Sequence, residues 1–80
     1  MLDKHNAKIT VAYINSGGQY LIQVEGISGW IALGKAGDPT ADALYSTALT
    51  AKVSNQSNVW IRYRTNDNGG YPQIGIISLQ

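Results

Sequence analysis

Hydrophobic and polar residues alternate through much of the chain. From Lys8 onward, Ile9, Val11 and Tyr13 fall on one side of an extended segment, with Lys8 and Thr10 on the other. A period of two marks a half-buried strand. Asn15-Ser16-Gly17-Gly18 follows, with side-chain amide and glycine chemistry suited to a tight reversal. Alternation resumes over 19–25, setting Tyr20, Ile22 and Val24 against Gln19, Gln23 and Glu25, so the two segments predict a β-hairpin. A second turn at Gly26 to Gly29 leads into Trp30-Ile31-Ala32-Leu33, which Gly34-Lys35-Ala36-Gly37 ends. Three strands joined by short turns make a meander.

The period then changes. Asp38 can cap a helix, and Pro39 suits its first position, where a missing N–H is harmless. Asp42 near the start and Lys52 near the end complement the helix dipole. Ala41, Leu44, Tyr45, Ala48, Leu49 and Ala51 or Lys52 repeat at three and four, predicting one helix at about 39–54. The polar run 54–58 ends it. Val59, Ile61 and Tyr63 alternate with Trp60, Arg62 and Arg64 in a fourth strand. Asn66-Asp67-Asn68-Gly69-Gly70 reads as a turn, and 71–79 as the last strand, with Pro72 at an edge or at the strand's start.

Residues 1–7 are polar and read as a loose tail, and 8–80 as one domain. The expected fold is β-rich α+β, in the order β-β-β-α-β-β. Five strands with a helix between the third and fourth is the layout of an OB-fold barrel. The rival is an α+β sheet carrying the helix on one face.

Composition narrows the function classes. Eighty residues without cysteine leave a marginal core and no disulfide to support it, which favours self-association. A single histidine and no thiolate argue against a structural zinc site. A net charge of +1 is a poor signature for nucleic-acid binding. Charged residues make up 14%, well below the usual share of about 25%, as when surface is hidden in contacts. The aromatics are five Tyr and two Trp with no Phe, a set suited to half-wet surfaces. No apolar run reaches the length of a membrane span, about 20 residues.

Enzyme chemistry finds little support. Asp3, Glu25, Asp38, Asp42 and Asp67 are scattered over turns and caps, and His5 lies in no nucleophile motif. Gly34-Lys35-Ala36-Gly37 lacks the spacing of a phosphate loop. The run 66–70 lacks the acidic ligands that a calcium loop needs. No catalytic residue, metal or cofactor is expected.

Binding is better served. Trp60, Arg62 and Arg64 point the same way, with neighbours about 7 Å apart along the strand. Such a row can stack a planar group and hold anions; alternatively, Trp60 packs on a neighbouring subunit or the helix. Trp30 beside Gly29 can form a platform for a sugar ring or close a barrel end. Tyr71 beside Pro72 is expected at the surface, and Tyr13 and Tyr20 in the core.

The passage Ala43-Leu44-Tyr45-Ser46-Thr47-Ala48-Leu49-Thr50-Ala51, followed after a polar gap by Val59-Trp60-Ile61-Arg62-Tyr63, resembles small secreted bacterial OB-fold proteins. Among these it looks most like the pentameric B subunits of bacterial toxins. The resemblance is one of layout and spacing over nearly the whole chain. It implies a ring of copies, five in the family it resembles, in which the helix lines a central pore and outer strands pair between subunits. It also implies secretion after removal of a leader; otherwise a cytoplasmic place is expected. Members usually carry a disulfide and a signal peptide, neither of which this sequence shows, and the chain is somewhat short. No sugar-contacting residue is carried over. The expected function is an oligomeric, non-enzymatic module binding glycan or another cell-surface ligand. The alternatives are a structural or inhibitory protein–protein domain and, behind it, a single-stranded nucleic-acid binder.

Overall fold

The computed structural model describes residues 2–65 and 71–79. The turn expected over 66–70, and Asp67 with it, lies outside the described residues. The elements are β1 (Leu2–Ala7), β2 (Ile9–Ile14), β3 (Gln19–Val24), β4 (Ile31–Lys35), α1 (Pro39–Val53), β5 (Val59–Arg64) and β6 (Gln73–Leu79). The order is therefore β-β-β-β-α-β-β. All six strands join one sheet in the order β1-β5-β6-β4-β3-β2, with only the β4–β6 pairing parallel. The two end strands, β1 and β2, are not paired with each other.

The expectation of five strands is corrected by β1. Residues 2–7, read as a loose tail, form a strand antiparallel to β5, with Leu2 opposite Tyr63, Asp3 opposite Arg62 and Ala7 opposite Val59. Their sequence lacks apolar alternation, so the strand is held by backbone pairing and by side chains of β5. An irregularity between Lys4 and Ala7 coincides with Asn6 at φ 54°. Asn tolerates the left-handed region better than most residues.

Another register shift changes which side chains are inside. Ile9 faces Val24 but Val11 faces Gln23, so two steps on β2 match one on β3. The extra residue reverses the faces that follow. Ala12 now lies with Ile22 on the core side, while Tyr13 lies with Leu21 on the other. Tyr13, expected in the core beside Ile9 and Val11, is 44% exposed.

The helix agrees with its sequence signals. The Asp38 carboxylate accepts the Thr40 N–H at 3.0 Å, and Pro39 is the first helical residue. At the other end, Asn55 adopts φ 57°, its N–H donates to the Lys52 carbonyl, and the Gln56 N–H donates to that of Ala51. This paired closure satisfies carbonyls that the helix leaves open. Ala41, Ala48 and Ala51 are buried, and α1 packs on β2, β3, β4 and β6. Small side chains allow this approach, and Gly34 completes it: a Cβ there would stand 2.8 Å from the Ala41 Cβ. Leu49, expected on the packed stripe, is exposed.

Ile22, Ile31, Val59 and Ile61 are the largest fully buried side chains, joined by Ile9, Val24 and Leu33. Pro72 stands just before β6, and its carbonyl accepts the Ala32 N–H at 2.8 Å. It occupies a strand start rather than an edge: β6 lies between β5 and β4. No described helix is long and apolar enough to cross a membrane.

Candidate functional site

β5 carries the expected row. Val59 and Ile61 are buried, so the intervening Trp60 and Arg62 point away from the core, with exposed Arg64 beyond them. β1 lies alongside and supplies the partners. Asp3 is the cross-strand neighbour of Arg62. Its carboxylate accepts the Arg62 Nε–H at 2.7 Å on Oδ1 and an Nη2–H at 3.4 Å on Oδ2. The Trp60 indole N–H donates to the same Oδ1 at 3.3 Å.

Two ring contacts complete the group. The His5 ring lies parallel to the Trp60 indole, 2° between planes and 5.9 Å between centroids, an offset stack. The Arg62 guanidinium sits 5.3 Å from the Trp60 ring centroid, within cation–π range. The indole is thus positioned through its edge, its N–H and its ring together.

Electrostatics follow from this geometry. The Arg62 hydrogen bond is the main cause holding the Asp3 carboxyl below its ordinary value; partial desolvation opposes it, and the Trp60 bond and nearby positive charge reinforce it. The Asp3 hydrogen bond and charge in turn raise the Arg62 pKa. Asp3 and Arg62 form an ion pair, each side chain still more than one-third exposed, 39% and 38%. Such an exposed pair adds little stability on its own. Its effect here is to orient hydrogen-bonding groups beside an aromatic ring.

The remaining expected site residues are elsewhere. Trp30 lies just before β4 and meets Tyr13, with ring centroids 5.3 Å apart and planes tilted by 35°. Tyr71 is exposed two residues before β6, and the parallel pairing of Ala32 with Gln73 sets it level with Trp30 along the chain direction. The structure brings Trp60 and Arg62 together, with Arg64 on the same row, but does not join Trp30 or Tyr71 to them. Asp3 and His5 are the residues that sequence reasoning missed. Their spacing of two was a signal, but no apolar residue marked the segment as a strand.

A second polar contact lies at the start of the helix. The Tyr20 hydroxyl donates to Asp42 Oδ1 at 2.8 Å, the Gly37 N–H donates to the same oxygen at 3.3 Å, and Tyr20 stacks on Tyr45 at 4.2 Å. The Asp42 hydrogen bond is the leading cause of a raised Tyr20 pKa. Asp42 thus ties β3 and the β4–α1 loop to the helix, in addition to complementing its dipole.

Among the described residues, no three His, Asp or Glu side chains gather to hold a metal ion. No protein-family model, curated protein or solved structure matches this chain.

Proposed function

We propose that the chain is a non-enzymatic binding module that recognises a glycan on the outer face of β1 and β5. The observation that carries this is the held indole: Asp3 accepts its N–H, while Arg62 and His5 lie against its ring. A sugar ring presents C–H groups on its face and hydroxyls around its rim. An oriented aromatic ring suits the first, and a paired carboxylate and guanidinium suit the second. Because the polar groups already hold one another, little ordering entropy opposes ligand binding.

The fold proposed for this module is the OB type, with the sheet rolled. Ala7 of β1 pairs with Val59 on β5 and Ile9 of β2 pairs with Val24 on β3, although β1 and β2 stand at opposite ends of the strand order. Residues two apart are separated by at most about 7 Å. A flat sheet of six strands would set its outermost strands roughly 24 Å apart, from a spacing near 4.8 Å. Rolling removes the conflict and makes β1 and β2 two halves of one bent strand. With those two of the six strands counted as one, the proposed arrangement is the five-stranded OB layout that the toxin B-subunit resemblance implies.

Self-association belongs to the same proposal. Val53 is 77% exposed, and Leu49, one helical turn earlier, is also exposed. Together they make an apolar strip on the outside of α1 suited to a second copy.

A glycan array probed with the wild-type chain and with Trp60→Ala tests the function. Hits that vanish in a variant of unchanged circular dichroism are expected. An array without hits on folded protein, or hits that survive in Trp60→Ala, would reject it.

A further inference from the structure

The bend between β1 and β2 lines a half-open cleft of about 350 Å³ that the Trp60 face does not use. Its walls are Lys4, Asn6 and Lys8 from the bend, Glu25 and Gly26 from the turn after β3, and Ser57 from the loop after the helix. We infer that this cleft binds a small hydroxylated oxyanion, a sugar acid or a sugar phosphate. The inference stands apart from the glycan reading, since it involves other residues.

The charge arrangement points to an anion. Lys4 and Lys8 are both half-buried, and among the described residues neither ammonium has an ion-pair or hydrogen-bond partner. A cleft lined by unpaired cations concentrates anions from solution. Glu25 lines the same cleft without closing on either of them. With two ammoniums against one carboxylate, the cleft carries a net positive charge that favours an anion.

The backbone is shaped to the same end. Gly26 has φ 88°, and a Cβ there would stand 3.3 Å from the Lys4 Nζ. The glycine therefore leaves room for the ammonium against the turn. Asn6, at φ 54°, lines the cleft from the bend together with Lys4 and Lys8. The Glu25 N–H donates to the Lys8 carbonyl at 2.9 Å, tying the two walls together. The volume falls in the range of small-molecule sites, about 300–1,000 Å³.

Glu25 sets the ligand class. A carboxylate beside the anion site repels a bare dianion but accepts hydrogen bonds from hydroxyls. Asn6 and Ser57 supply further neutral partners. An anion whose own hydroxyls reach Glu25 satisfies all of them at once.

The test is a ¹H–¹⁵N NMR titration of the full chain at fixed ionic strength with glucuronate, glucose 6-phosphate, glucose and inorganic phosphate. Saturable shifts at the amides of Lys4, Asn6, Lys8 and Gly26 are expected with the first two and not with glucose; the tighter one identifies carboxylate or phosphate as the source. Lys4→Gln and Lys8→Gln should each weaken binding about fivefold, as for losing one exposed charge contact, while the arginine variants retain it. Glu25→Gln should tighten inorganic phosphate. Absence of saturation with both sugar anions, or affinity unchanged in both glutamine variants with spectra otherwise intact, would overturn the inference.

Discussion

Gly34→Ala tests how the helix is seated on the sheet. Gly34 has φ 126°, a conformation that side-chain-bearing residues rarely adopt. Backbone strain of this kind costs about 1–3 kcal/mol. The new methyl would also stand 2.8 Å from the Ala41 Cβ, well inside contact distance. Overpacking of a tight interior typically costs about 1–3 kcal/mol. Against these, alanine stiffens the unfolded chain by about 0.4–1 kcal/mol. The net expected loss is roughly 2–4 kcal/mol. For a domain of this size, about 1 kcal/mol moves Tm by about 4–8 °C, so Tm should fall by roughly 10–25 °C. Thermal unfolding followed by circular dichroism measures it. Ala41→Gly in the same chain removes the opposing methyl and should recover part of the loss, a positive coupling between neighbours. A Gly34→Ala midpoint within about 3 °C of wild type would refute the close approach of α1 to β4.

Other expectations follow from the polar contacts and the surface. Asp3 has a lowered folded pKa, so its stabilising contribution is present above the unfolded carboxylate value, about 3.9, and is lost as pH falls through the lower folded value. Amide exchange of β1 should therefore quicken in acid, and Asp3→Asn should remove that dependence; an identical acid profile in the variant would refute the pairing. Tyr20 has a raised folded pKa, so its bond to Asp42 is retained below the unfolded phenol value, about 10, and lost as pH rises through the folded one. The spectrophotometric difference between wild type and Tyr20→Phe should have its midpoint above about 10, and a lower midpoint would contradict the contact. Leu49→Ser with Val53→Ser should leave monomer stability within about 0.5 kcal/mol per site while shifting the mass by light scattering toward the monomer; an unchanged oligomer would remove the helix from the interface.

The helix was legible because its signals are local. Asp38, Pro39 and the alanine spacing act within a few residues, and the structure places the helix at Pro39–Val53. β5 was legible for the same reason, since its buried Val59 and Ile61 alternate with Trp60 and Arg62. β1 was not, because its pairing with β5 joins residues 59 apart, as in the Arg62–Asp3 bond. A polar strand docked by backbone hydrogen bonds leaves no hydrophobic period to read. The outward turn of Tyr13 was hidden by one extra residue between Ile9 and Val11, which reverses every face beyond it. For the candidate site, the sequence identified the Trp60, Arg62 and Arg64 row but not the Asp3 and His5 side chains that orient it.

The most direct test of the Trp60 face is a ¹H–¹⁵N NMR titration with the strongest glycan from the array. Shifts should concentrate on the Trp60 indole N–H and the amides of Asp3, His5 and Arg62. Shifts centred on Tyr13 and Trp30 instead, or spread evenly without saturation, would contradict it.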